Sequence, residues 1–186
     1  TNDEQWPYRV KFSGTDLLGN VTIPEGDPTD VETSLEVSLD ASSESYPLHT
    51  FNLLNDGVME KIAKAFKLQP SEIASATLEA GVVKAEGFTG PADGKVAVGL
   101  TNPDGKVSYA YSANGIGFWI AADGTASSWG DAPIYYEYDA VGYGLTVGHN
   151  PGHSEKGKTY TIKPTMVYNK GGKLHKAVIT IKMKFA

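Results

Sequence analysis

The chain has 186 residues, room for one large domain, and 40% of them are hydrophobic, enough for a packed core. A net charge of −6 argues against a nucleic-acid partner, whose phosphates need a basic surface, and the lack of cysteine excludes disulfides, thiol catalysis and any cysteine-based zinc site. No apolar run reaches the ~18 residues of a membrane-spanning helix, and no signal peptide is visible.

Ten Tyr, six Phe and three Trp favour strands, while 21 Gly and 10 Pro require frequent turns. The charge is uneven: residues 1–44 carry ten acidic and two basic side chains, and residues 156–186 carry eight Lys and no acid. Two explanations compete: a basic patch for an acidic ligand, and two chain ends that lie side by side in one sheet. The second is preferred, because opposite charges on neighbouring strands stabilise each other. The polar, acidic start TNDEQWP lacks an initiating Met and reads as trimmed.

In chain order, Tyr8, Val10 and Phe12 alternate with Arg9 and Lys11, the period of a half-buried strand. Residues 17–23 form a weaker strand candidate, and residues 24–30 a loop. Residues 31–39 place Val31, Leu35, Val37 and Leu39 on one face of a strand and Glu32, Ser34, Glu36 and Ser38 on the other. A polar linker at 40–47 is the best internal boundary, separating N-terminal strands in 1–44, packed onto or extending the main sheet, from a β domain over 48–186. Residues 57–67 predict a helix, with Met59, Ile62, Ala63 and Phe66 on one stripe facing the core. Asn55, Asp56 and Gly57 supply capping residue types, and Pro70 opens a second helical turn.

From residue 95 the pattern is strand and turn. Strands are predicted at 96–100, 107–111, 116–121, 125–129, 134–138, 143–148, 158–168 and 174–185, the last two joined by the hairpin signal Asn169-Lys170-Gly171-Gly172. The fold class is therefore mostly β, an antiparallel sandwich-like arrangement with one short amphipathic helix.

Candidate chemistry is sparse. His149 and His153 have His-x-x-x-His spacing, but Pro151 and Gly152 prevent the helix that would aim both rings at one metal, so a polar loop is the plainer reading. Asp123, Asp131, Glu137 and Asp139 cluster in sequence without showing the paired geometry of a glycosidase. Ser127 and Ser128 lack a nucleophile elbow, and Ala113–Gly117 lacks the third glycine of a dinucleotide loop. No catalytic residue, cofactor or metal site is assigned. Trp119 and Trp129 flank a tight turn; a solvent-facing indole can stack on a sugar ring, an inward one fills the core. Trp119, between Phe118 and Ile120, is expected in the core, and for Trp129 both readings stand. A ligand site, if one exists, is expected around Trp129, Asp131, His149, Asn150 and His153: an aromatic platform beside hydrogen-bonding groups on a loop stiffened by Pro151.

The segment GIGFWIAADGTASSWGD at 115–131 resembles the signature of a Bacteroidetes domain of unknown function, the DUF4859 family. The resemblance continues through Val147–Gly152, Gly157–Ile162 and the closing hairpin, and backward to EKIAKAFKLQPSEIASA, covering roughly 48–186. It implies an exported lipoprotein, anchored at the outer-membrane surface or extracellular and associated with glycan-using surface machinery, and it supplies no catalytic residues. The acidic Asn2-Asp3-Glu4 resembles the stretch that follows a lipidated Cys, a residue this chain lacks. The expected function is a non-catalytic glycan-binding or adhesin-like module. The alternative is a structural or protein-interaction domain of an envelope complex. The partner is then a glycan or another surface protein.

Overall fold

The computed structural model describes residues 20–74, 76, 81–110, 116–139 and 141–186. The predicted strand at 8–12, the start of the candidate at 17–23 and most of the 113–117 run lie outside them. In order, the described elements are β1 (Val31–Leu39), β2 (Pro47–Asn52), α1 (Val58–Phe66), α2 (Pro70–Ala74), β3 (Val82–Ala85), β4 (Phe88–Pro91), β5 (Val96–Thr101), β6 (Val107–Tyr109), β7 (Ile116–Ile120), β8 (Ala126–Ser127), β9 (Ile134–Asp139), β10 (Gly144–His149), β11 (Thr159–Ile162), β12 (Pro164–Lys170) and β13 (Lys173–Phe185). The protein is mostly β with two short helices. One sheet runs β1-β13-β12-β5-β6, with β11 also on β13; a second runs β2-β10-β9-β7-β8; β3 and β4 form a separate hairpin.

β13 organises the first sheet. Ala177, Ile179, Ile181, Met183 and Phe185 point into the core, and the residues between them point out. One side of β13 pairs with β12 and then β11; the other pairs with β1. The β1–β13 ladder is parallel, so the first sheet is mixed rather than purely antiparallel. It also brings the acidic and basic chain ends together. Glu36 forms an ion pair with Lys184, which with the nearby Lys182 holds its carboxyl below the usual range, and Asp30 accepts a hydrogen bond from the Lys176 amide at 2.9 Å. Gly171 and Gly172 both have positive φ, 64° and 89°, which the two-residue hairpin into β13 requires.

The second sheet faces the first across a shared core. Ile134, Tyr136 and Tyr138 of β9, Leu145 and Val147 of β10, and Ile120 of β7 meet Met166, Ile179 and Ile181 there. Tyr136 is fully buried, and its hydroxyl donates to the Gly99 carbonyl of β5 at 2.7 Å, tying sheet to sheet. Burial pushes its phenol far above the ordinary value. Met59, Ile62 and Phe66 of α1 are buried as the helical period requires, and the Phe66 ring lies 5.5 Å from Tyr168. Asp56 accepts the Val58 amide at 3.1 Å, and Glu72 accepts the Gln69 amide at 2.9 Å to start α2.

Several boundaries differ from the sequence expectation, each for a local reason. The strand expected at 158–168 breaks after Ile162. Pro164 has no amide to donate, and the Lys163 carbonyl takes the Thr101 amide and the Thr165 hydroxyl instead. The strand expected at 125–129 shortens to two residues because the Ser128 carbonyl accepts the Asp131 and Ala132 amides, turning the chain. Within 20–23 only a single bridge forms at Val21, whose backbone pairs with the Gln69 side chain. β2 and the β3–β4 hairpin were not legible as strands in advance. The 40–46 stretch carries the chain from the first sheet to the second.

Two variants test this architecture. Tyr136→Phe removes the hydroxyl that reaches the Gly99 carbonyl, which stays in the β5–β12 ladder, and should lower stability by roughly 0.5–1.5 kcal/mol in a urea melt; an unchanged midpoint would show that the tie contributes nothing. Deleting 174–186 removes the strand on which β1, β11 and β12 all pair, and should abolish cooperative thermal unfolding; a sharp transition would contradict that role.

Candidate functional site

The second sheet has two unlike faces. With Ile134, Tyr136 and Tyr138 turned inward, the pleat sends Tyr135, Glu137 and Asp139 outward. On β7, Ile116, Phe118 and Ile120 turn toward the core, so Trp119 turns out, opposite Tyr135 on β9 and Ser127 on β8. Trp119 is thus not the core residue expected from its neighbours: it is half-buried on the outer face.

Trp119 and Tyr135 pack with ring centroids 4.9 Å apart, and Tyr46 meets Trp119 edge-on at 6.3 Å. Gly148 sits beside Tyr135 in the ladder and makes this possible. A Cβ there would come within 2.6 Å of the Tyr135 ring and would collide with the Tyr46 carbonyl. Tyr135, under its two neighbours, is only 7% exposed, whereas Tyr46 is 42% exposed. The three rings form a ridge whose accessible parts are Trp119 and Tyr46. Burial, with the Glu137 charge adding to it, pushes the Tyr135 phenol up to about 12.

Beside the ridge lies a polar row in register across four strands: Gly117 of β7, Glu137 of β9, Thr146 of β10 and Thr50 of β2. Glu137 and Thr50 are exposed, and the Thr50 and Thr146 hydroxyls share a 2.7 Å hydrogen bond. Asp139, Gly144 and Asn52 form the next row.

The five residues singled out from sequence separate into two groups. Trp129 is 58% exposed, and Asp131 and His153 are exposed, all on loops at the end of the second sheet next to the ridge. His149 and Asn150, at 0% and 3% exposure, are not available to a ligand. The His149 ring stacks on Phe185 at 5.9 Å, and its Nδ1 lies 2.7 Å from the Ser154 hydroxyl. The Asn150 side chain donates to the Trp129 carbonyl at 3.0 Å, and its own amide donates to the Pro133 carbonyl at 3.0 Å. Asn150 ties its loop to the Trp129 backbone, and His149 anchors the start of that loop against Phe185 and Ser154.

The four acids do not gather in one group: Glu137 and Asp139 share the outer face of β9, and Asp123 lies in the β7–β8 turn. Asp123 accepts the Thr125 amide at 2.9 Å in the β7–β8 turn, with its carboxyl held low by Thr125, and Asp139 accepts the Val141 amide at 3.1 Å. No group of three potential metal ligands occurs among the described residues. Tyr46, Tyr135, Thr50 and Thr146 escaped the sequence reading, and Trp119 was singled out but expected in the core. A signal was available for two of them: Ile116, Phe118 and Ile120 share one phase, as do Ile134, Tyr136 and Tyr138, and each pattern leaves a large aromatic on the opposite face.

Comparison with curated proteins and with solved structures gave no match. One family's model matches residues 45–173, a shorter stretch than the 48–186 resemblance read from sequence, stopping at the first residue of β13. The chain belongs to that family, described as a domain of unknown function (DUF4859).

Proposed function

We propose that this protein is a non-catalytic glycan-binding or adhesin-like module of the bacterial cell surface, carried in the envelope by a lipid anchor on the precursor. The observation that carries the reading is the ridge of Trp119 and Tyr46 on an open sheet face, next to a row of hydroxyl and carboxylate side chains. Sugar rings present apolar C–H faces that stack on aromatic rings, and hydroxyls that must regain the hydrogen bonds they leave in water. The ridge supplies the first need; Glu137, Thr146 and Thr50 supply the second. Trp129, whose carbonyl is held by Asn150, adds an exposed indole at the same end of the sheet. The cell-surface location rests on the family resemblance alone.

Calorimetric titration of a glycan panel tests this reading. At least one glycan should bind. Trp119→Ala, confirmed folded by its melting transition, should weaken that binding about tenfold or more, a loss of at least about 1.4 kcal/mol. Equal binding by the folded variant would remove the ridge from the site. No binding across the panel would put the alternative first: a structural or protein-interaction domain.

A further inference from the structure

Resting on the glycan reading, we infer that the outer face of the second sheet takes an uncharged glycan chain, bound by an internal stretch that lies across the strands along the Gly117–Glu137–Thr146–Thr50 row. Three observations lead there.

The first is charge. β2, β7, β8, β9 and β10 contain no Lys or Arg, and their two acids, Glu137 and Asp139, both lie on the outer face. A uronate or sulfated chain placed there would meet carboxylates with no cation from these strands to offset them. The lysines that the sequence concentrates in 156–186 belong to the other sheet and the loop leading into it: Lys170, Lys173, Lys176, Lys182 and Lys184 all lie on β12 or β13. Carboxylates are strong acceptors for sugar hydroxyls, so the same face suits a neutral ligand.

The second is direction. The polar row follows the ladder from β7 through β9 and β10 to β2. With strands about 4.8 Å apart it extends roughly 14 Å, and the ridge runs alongside it. A ligand that stacks on Trp119 or Tyr46 while reaching Glu137, Thr146 and Thr50 lies along this row, across the strands.

The third is openness. Among the described residues, the row ends on β2, an edge strand, and at its other end the two-residue β8 alone lies beyond β7. Gly117 and Gly144 place no side chain on this floor. Among the described residues no strand of this sheet rises to close the row, so a chain can pass along it.

The test is calorimetry of the native protein against cellohexaose, mannohexaose, maltohexaose and hexagalacturonate, with Glu137→Gln and Glu137→Lys as variants. The expected result is binding of at least one neutral hexaose, with hexagalacturonate at least about tenfold weaker. Reduction of the hexaose to its alditol should leave affinity unchanged, since the reducing end is not read. Glu137→Gln should weaken neutral binding roughly tenfold through loss of a charged acceptor, and Glu137→Lys should narrow or invert the preference against hexagalacturonate. Hexagalacturonate binding as tightly as the neutral chains would overturn the charge inference while sparing the glycan reading. Loss of binding on alditol formation would overturn the internal-chain inference. Silence from every glycan would sink the glycan reading itself, and with it this inference.

Discussion

The hydroxyl of Tyr136 donates to the Gly99 carbonyl across the interior, and that bond fixes the phase of β9. A strand slipped by one residue turns every side chain to the opposite face. Such a slip in β9 would drive Glu137 and Asp139 into an apolar core and leave Ile134 and Tyr138 in water. The buried tie and the apolar set around it forbid that outcome. Once the phase is fixed, Tyr135 must point outward, and ladder pairing places Trp119 directly opposite it. Gly148 completes the arrangement by leaving room for Tyr46 and Tyr135 to approach each other. The aromatic ridge is therefore a consequence of how the core is packed on the other side of the same strands.

The two sheets divide the work. The first is a scaffold: β13 pairs with three strands and contributes a continuous line of buried side chains, while its outer face carries lysines paired in part with acids of β1. The second holds the outward aromatic and acidic face. Asn150 and His149 join the site's rim to the scaffold, since one holds the Trp129 backbone and the other stacks on Phe185 at the end of β13. The family match over 45–173 spans the strands of the site but leaves out β1 and nearly all of β13, so the matched stretch is smaller than the unit that packs the core.

Where a single strong pattern governed a segment, the sequence was readable. The alternation at 31–39, the stripe Met59–Ile62–Phe66 and the paired glycines before the last strand each satisfied one requirement of one element. Elements set by long-range pairing were not readable. β2 carries Pro47, His49 and Asn52 and becomes a strand because β10 offers it a ladder. Two residues of the expected ligand site, His149 and Asn150, are buried. Polar residues beside Pro and Gly look like an exposed loop, but here the Asn150 side chain satisfies the Trp129 carbonyl and the His149 ring is buried against Phe185 beside the Ser154 hydroxyl. Trp119 was misplaced because both of its neighbours are apolar; only the phase of the whole strand decides its face.

Chemical-shift mapping of the nitrogen-15 labelled protein, titrated with whichever neutral hexaose binds tightest, tests the central claim most directly. The account predicts that the Trp119 indole and the amides of Glu137, Thr146 and Thr50 move together and saturate at one affinity, while β12 and β13 stay still. Shifts confined to β12 and β13, or to the 149–158 loop without the Trp119 indole, would contradict it.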